Sequence, residues 1–248
     1  MENSEFLKRA EDLRSRCEKR GIVTHTGFLT PAESYELNNW ARHCTDCRLV
    51  LTGGHESCER AVAFFLPEYM EEEFFDPGEY IRAIGLTAHF GTPGHRDYMG
   101  ALLGMGIGRE WLGDIWVKDS EAVVFCLDSV CRHLLSIEKV GRYGVKAKEL
   151  SLAELPAPER KVKKLSFSVM SMRLDAVAAG MFSLSRSECS RHIAAGNVSL
   201  NYTQCLKPDA SVKPGDIISI KGEGKGNVGE TGGLSRKGRL FINAEIYK

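Results

Sequence analysis

The sequence predicts an α+β protein of three small domains. An N-terminal domain of helices and a β-hairpin covers 1–78, a ferredoxin-like (RRM-like) βαββαβ domain covers 79–155, and a compact helix–helix–sheet unit with a closing strand covers 166–248. Three observations carry this reading. From Tyr80 to Leu150 the apolar periodicity switches between strand and helix in βαββαβ order. Turn-forming Asp76-Pro77-Gly78 and the proline pair Pro156 and Pro158 break the chain at two places. Beyond Met172, two short helical patterns run into alternating strands.

In the first domain, residues 3–20 and 31–44 have helical spacing, and Thr30-Pro31 with Glu33 reads as an N-cap, a proline at the first helical position and an acid in the first turn. Strand-like runs over 48–52 and 60–66 flank Gly53-Gly54. In the second domain, strands over 80–90, 112–117, 122–127 and 145–150 alternate with helices over 95–105 and 128–137. The third strand, AVVFCL, lacks the aromatic-rich signature that stacks bases in RNA-recognition modules. Residues 156–164 read as an extended, basic linker. In the third domain, Leu174, Val177, Ala178 and Met181 mark one helix face, Gly180 weakens that helix, and Ser185 with Glu188 forms a capping box for the next. Gly196 is placed to end that second helix, Val198 and Leu200 start a strand, Asn201-Tyr202 turns, and Pro214-Gly215-Asp216 launches Ile217–Ile220. The segment GEGKGNVGETGG reads as a flexible loop before a closing strand over 240–246.

With 43% hydrophobic and 27% charged residues, the chain can bury more than one core. Its net charge of zero hides a polarity: residues 160–248 hold 15 Lys and Arg against 7 Asp and Glu, and residues 1–159 hold 18 against 26. The basic third is the part suited to a nucleic acid. No apolar run reaches the roughly 18 residues of a membrane span, and the first residues lack a signal-like apolar core, so a cytoplasmic protein with reduced thiols is expected.

The motifs RLD at 173–175, SRSE at 185–188, IxxG running into VxLN, KP at 207–208 and PGDIIxI at 214–220 resemble the S4 RNA-binding domain. Upstream, Gly53-Gly54, ERAVAFFLPEY at 59–69 and HRDYMGALLGMGIGREWLGDIWV at 95–117 resemble the YlmH family of bacterial RNA-binding proteins, in which two domains precede an S4 domain. The resemblance implies binding of structured RNA, rRNA or tRNA, on the large ribosomal subunit, with a role in translation quality control and rescue of stalled translation. It implies no enzyme activity, cofactor, metal, small-molecule substrate or membrane partner.

Arg173, Ser185, Arg186, Arg191 and Lys207 are the candidate RNA contacts, because guanidinium forks grip phosphates and Arg186 opens a helix. Alanine at Arg173, Arg186 and Arg191 is expected to weaken RNA binding and to leave thermal unfolding nearly unchanged. His95, Arg96, Lys163 and Lys164 form a weaker set. Asp175 sits in a triplet that pseudouridine synthases use for catalysis, but here it lies inside a helix start and is read as structural. His95-Arg96-Asp97 resembles a kinase catalytic loop, yet position 102 is Leu where that loop needs Asn. Cys44 and Cys47 form one C-x-x-C pair; zinc needs four donors and no second pair follows, so buried thiols are expected. Gly100–Gly108 lies within and after a helix instead of between strand and helix, which favours close helix packing and a C-terminal turn over a nucleotide loop. Two other classes stay open: an RNA-modifying enzyme such as a pseudouridine synthase, and a protein-interaction adaptor using the acidic first domain.

Overall fold

The computed structural model describes residues 2–44, 48–158, 162–234 and 238–247. The chain forms two compact units that divide after Pro158.

The first unit begins with α1 (Glu2–Arg20), β1 (Thr24–Leu29), α2 (Pro31–Ala41), β2 (Leu49–Thr52) and β3 (Ala61–Phe65). The Thr30 hydroxyl accepts from the Glu33 amide while the Glu33 carboxylate accepts from the Thr30 amide, so the expected cap is a reciprocal box. β3 runs antiparallel between β1 and β2. The strand β1 escapes a sequence reading for a physical reason. A register shift between His25 and Phe28 breaks the alternation that announces a strand.

β4 (Ile81–Ala88), α3 (His95–Gly104), β5 (Leu112–Lys118), β6 (Glu121–Leu127), α4 (Asp128–Leu135), β7 (Lys139–Val140) and β8 (Tyr143–Leu150) follow. They build an antiparallel sheet in the order β5-β6-β4-β8-β7, the ferredoxin-like arrangement with the two-residue β7 added at one edge.

The core is continuous across residue 78. Even-numbered side chains of β4 and β6, such as Ile84, Leu86, Val124 and Cys126, pack under α3 and α4. Odd-numbered ones, Ile81, Ala83, Phe125 and Leu127, pack with Phe28, Val62, Phe64 and Leu66 of the smaller sheet. On its other side that smaller sheet buries Ala63 and Phe65 against α1 and α2. The unit is therefore four layers deep, helices on sheet on sheet on helices, and the wholly apolar run of β3 is explained by its being covered on both faces. A polar seam supports the joint: Arg60 donates to the carbonyls of Phe28 at 2.7 Å, Arg109 at 3.0 Å and Leu112 at 3.1 Å, and its own amide donates to Asp114 at 3.1 Å.

The second unit starts with β9 (Val162–Val169), then α5 (Leu174–Phe182), α6 (Arg186–Ala194), β10 (Val198–Leu200), β11 (Thr203–Gln204), β12 (Ile217–Ile220), β13 (Gly224–Leu234) and β14 (Leu240–Tyr247). Its sheet runs β11-β10-β12-β13-β14-β9. Two expectations are corrected here. Residues 162–164, read as linker, are the start of β9, which opens the unit ahead of residue 166; Leu165, Phe167 and Val169 alternate toward the core. The segment read as a flexible loop is largely β13, bonded on one edge to β12 and on the other to β14. Its glycines mark close approach: a Cβ on Gly226 would stand 2.6 Å from the Glu245 carbonyl oxygen.

Gly180 has a similar purpose inside α5. A Cβ there would lie 2.1 Å from the Phe167 ring, so the glycine lets helix and sheet meet. Replacing Gly180 with valine is expected to lower stability by about 1–3 kcal/mol through overpacking. Urea unfolding followed by far-ultraviolet circular dichroism checks this, and an unchanged midpoint would mean that Phe167 swings aside freely.

Candidate RNA interface

The start of α5 is held by a neighbouring turn. The amides of Leu174 and Asp175 donate to the carbonyls of Ala210 and Pro208, both at 2.9 Å, and Val212 donates to the Met172 carbonyl at 2.8 Å. The turn that carries Lys207 is thereby laid against Arg173, the residue preceding the helix.

Beneath them sits Asp175, 4% exposed. Arg173 donates to its two oxygens through Nε at 3.1 Å and Nη2 at 3.4 Å, and Arg186, from the first turn of α6, donates through Nη2 at 2.5 Å. Burial pushes the Asp175 carboxyl up, but the hydrogen bonds from Arg173 and Arg186 outweigh it, and the group titrates below the usual aspartate value. The two guanidinium side chains remain 44% and 60% exposed. One buried carboxylate thus orients two cationic forks whose outer N–H groups face solvent, a geometry suited to phosphate oxygens.

The other candidates are arranged differently. The Ser185 hydroxyl accepts from the Glu188 amide at 3.2 Å and donates to the Glu188 carboxylate at 2.7 Å, so it is engaged as a helix cap. Arg191 is exposed and lines a depression of about 340 Å³ with Glu188, His192, Asn197 and Glu223, where two carboxylates share its surroundings. Arg186 lines a separate depression of about 300 Å³ with Phe167, Met170, Gly180 and Arg239. Lys163 and Lys164 are exposed on β9, and Lys164 pairs with Glu245 at 3.3 Å. His95 and Arg96 are exposed on the first turn of α3 in the other unit. The structure therefore joins Arg173 and Arg186 through Asp175 and lays the Lys207 turn beside Arg173, while Ser185, next to Arg186, is engaged as a cap and Arg191 lines a different depression.

The sequence reading gives Asp175 a structural role without its two partners, and it misses Arg239. Asp175 is visible as an ionisable residue on the apolar face of α5, beside Leu174, Val177 and Ala178. Arg239, whose Nη2 donates to the Ser168 carbonyl at 2.6 Å, is brought to the rim only by the pairing of β14 with β9.

Among the described residues, no three His, Cys, Asp or Glu side chains come together as a metal site. Cys47 lies outside them, and Cys44 donates to the Trp40 carbonyl at 3.5 Å. Burial pushes the Cys189 thiol up to about 11 and raises Cys17, Cys44, Cys126 and Cys131 as well. No helix among the described residues is long and apolar enough to cross a membrane.

The comparisons with known proteins agree with one another. The family model described as "YlmH, N-terminal" matches residues 2–69, and the one described as "Putative RNA-binding domain in YlmH" matches residues 79–154. The chain is 27% identical over 244 residues to the ribosome-associated protein quality control protein P2 of Bacillus subtilis (strain 168), spanning 98% of this chain and 95% of that one. The solved structure of the cell division protein ylmH from Streptococcus pneumoniae superposes with a TM-score of 0.54 at 22% identity, covering 62% of this chain and 94% of that one, and shows a shared fold. With two family models covering more than half of its length in order and a relative aligned almost end to end, the chain belongs to the YlmH family.

Proposed function

We propose that this protein binds structured RNA and has no catalytic step of its own, and that its second unit is an S4-type RNA-binding domain. The observation that carries the reading is the pair of half-exposed arginines, Arg173 and Arg186, fixed on the buried carboxylate of Asp175 beside the Lys207 turn. Preset forks pay little ordering entropy when they meet phosphates, and phosphate contacts supply most of the affinity of an RNA module. The target is rRNA or tRNA on the large ribosomal subunit, and the setting is the rescue of stalled translation in the cytoplasm. Support comes from the RNA-binding description of the model that matches residues 79–154 and from the name of the B. subtilis relative.

Binding of full-length protein to tRNA and to folded rRNA fragments tests this. Affinity is expected to fall roughly tenfold or more between 50 and 200 mM salt, the loss that goes with two or more neutralised phosphates. A flat salt response would overturn the electrostatic reading, and conversion of nucleosides in the bound RNA would overturn the non-catalytic one.

A further inference from the structure

The face that usually reads RNA in a ferredoxin-like module is closed in this protein. On the sheet side away from α3 and α4, Phe125 and Leu127 of β6 and Ile81 and Ala83 of β4 are buried against Phe28, Val62 and Phe64. A ring such as Phe125, with no exposed surface and Trp116 at 4.7 Å, cannot stack a base. If the 79–154 segment contacts RNA, it does so from another surface.

One end of the sheet has the required chemistry. The loop leaving β4 is stapled to the β7–β8 hairpin: the His89 amide donates to the Gly144 carbonyl at 2.9 Å. Gly91, at φ +71°, lies so close to Tyr143 that a Cβ would stand 2.5 Å from the ring. Above this junction Phe90 is 60% exposed, with its ring centroid 5.8 Å from that of Tyr143. The Arg142 guanidinium lies 5.1 Å from the Tyr143 centroid and donates to the Tyr143 hydroxyl at 3.1 Å. His95 and Arg96 are exposed where the loop enters α3, and Lys139 is exposed on β7, against which α3 packs. The nearby Asp97 carboxylate is occupied by the Gly94 amide at 2.8 Å.

From this geometry we infer that Phe90 is a stacking platform for an unpaired base of RNA, with Arg142, His95 and Arg96 placed to hold the flanking phosphates. The inference rests on the RNA-binding reading and specifies a second contact of different kind: the arginine forks of the other unit take backbone phosphate, and this one takes a base face. A protein partner is disfavoured because Tyr143, the ring's neighbour, carries the Arg142 guanidinium and the adjoining elements expose His95, Arg96 and Lys139, whereas every base offers a π-face that an aromatic ring and a guanidinium can sandwich.

The test uses full-length protein and two probes, an RNA hairpin with a single-stranded uridine tail and the same hairpin without it. Phe90→Ala is expected to weaken binding of the tailed probe about tenfold, the scale of one stacked base, and to leave the untailed probe unchanged. Phe90→Trp should bind both probes like the wild type, and tryptophan fluorescence should show the same unfolding midpoint for Phe90→Ala, since the ring is mostly exposed. Wild-type affinity of Phe90→Ala for the tailed hairpin would overturn the inference, and so would equal weakening of both probes or nuclease-resistant capture of a protein through Phe90. The broader reading is scored separately: a wild type that binds neither hairpin overturns both, while loss of binding in Arg173→Ala/Asp175→Asn/Arg186→Ala alone leaves that reading standing and removes the platform.

Discussion

Replacing Arg173 and Arg186 together with alanine is expected to destabilise the second unit at neutral pH, because the Asp175 carboxylate beneath them is left without its partners. This revises the expectation that the arginines can be removed without cost. They are surface residues by exposure, but the Asp175 carboxylate beneath them is buried and would be left uncompensated. The sign of the pH dependence separates this account from a general loss of packing. In the wild type the folded carboxyl titrates below its unfolded value near 3.9, so its contribution is complete above about pH 5 and is lost as the pH falls through the folded value. In the double variant burial acts alone, the folded value rises above the unfolded one, and stability should increase as the pH is lowered from 7 toward 4. Adding Asp175→Asn should restore most of the loss at neutral pH. Urea unfolding followed by circular dichroism reads the effect, while tryptophan fluorescence supplies the control, because Trp40, Trp111 and Trp116 all lie in the first unit. An unchanged midpoint in the double variant would show that water reaches Asp175 once the arginines are gone.

Phe64→Ala is expected to cost about 3–5 kcal/mol and to loosen both sheets of the first unit together. Phe64 is fully buried and packs on Phe75 at 4.8 Å and Tyr80 at 5.3 Å, at the junction of the β1-β3-β2 sheet with the larger one. Amide hydrogen exchange is the informative measurement. If the layers share one core, protection falls in β4 and β6 as well as in β1 and β3. Loss confined to residues 24–65 would show that the sheets fold independently in spite of their contact.

What the sequence discloses here follows from how local each signal is. Caps at Thr30 and Ser185, the strand–helix order from Ile81 to Leu150 and the turn at Asn201-Tyr202 depend on a few adjacent residues, and all are readable in the chain. Asn201 and Tyr202 both take positive φ, the backbone that a two-residue hairpin demands. The features that stay hidden depend on distant partners. Composition marks β13 as loop, because its glycines answer to backbone on β14 and to the Met181 side chain. The turn signal at 76–78 is genuine, yet it says nothing about Phe125 and Phe64 sharing one core. At the candidate site, the motif supplies Arg173 and Arg186, whereas the reason they point outward together is Asp175, which a linear reading sets aside.

The position of β14 also bears on when the arginine pair is supported from below. This strand pairs with β13 on one side and with β9 on the other, Leu240 against Val169 and Tyr247 against Val162, so the last strand of the unit locks in its first. During synthesis, α5 and α6 emerge well before the strand that completes the sheet beneath them. A nascent chain holding Arg173 and Arg186 has no finished sheet under α5 until Leu240–Tyr247 is free to pair with β13 and β9.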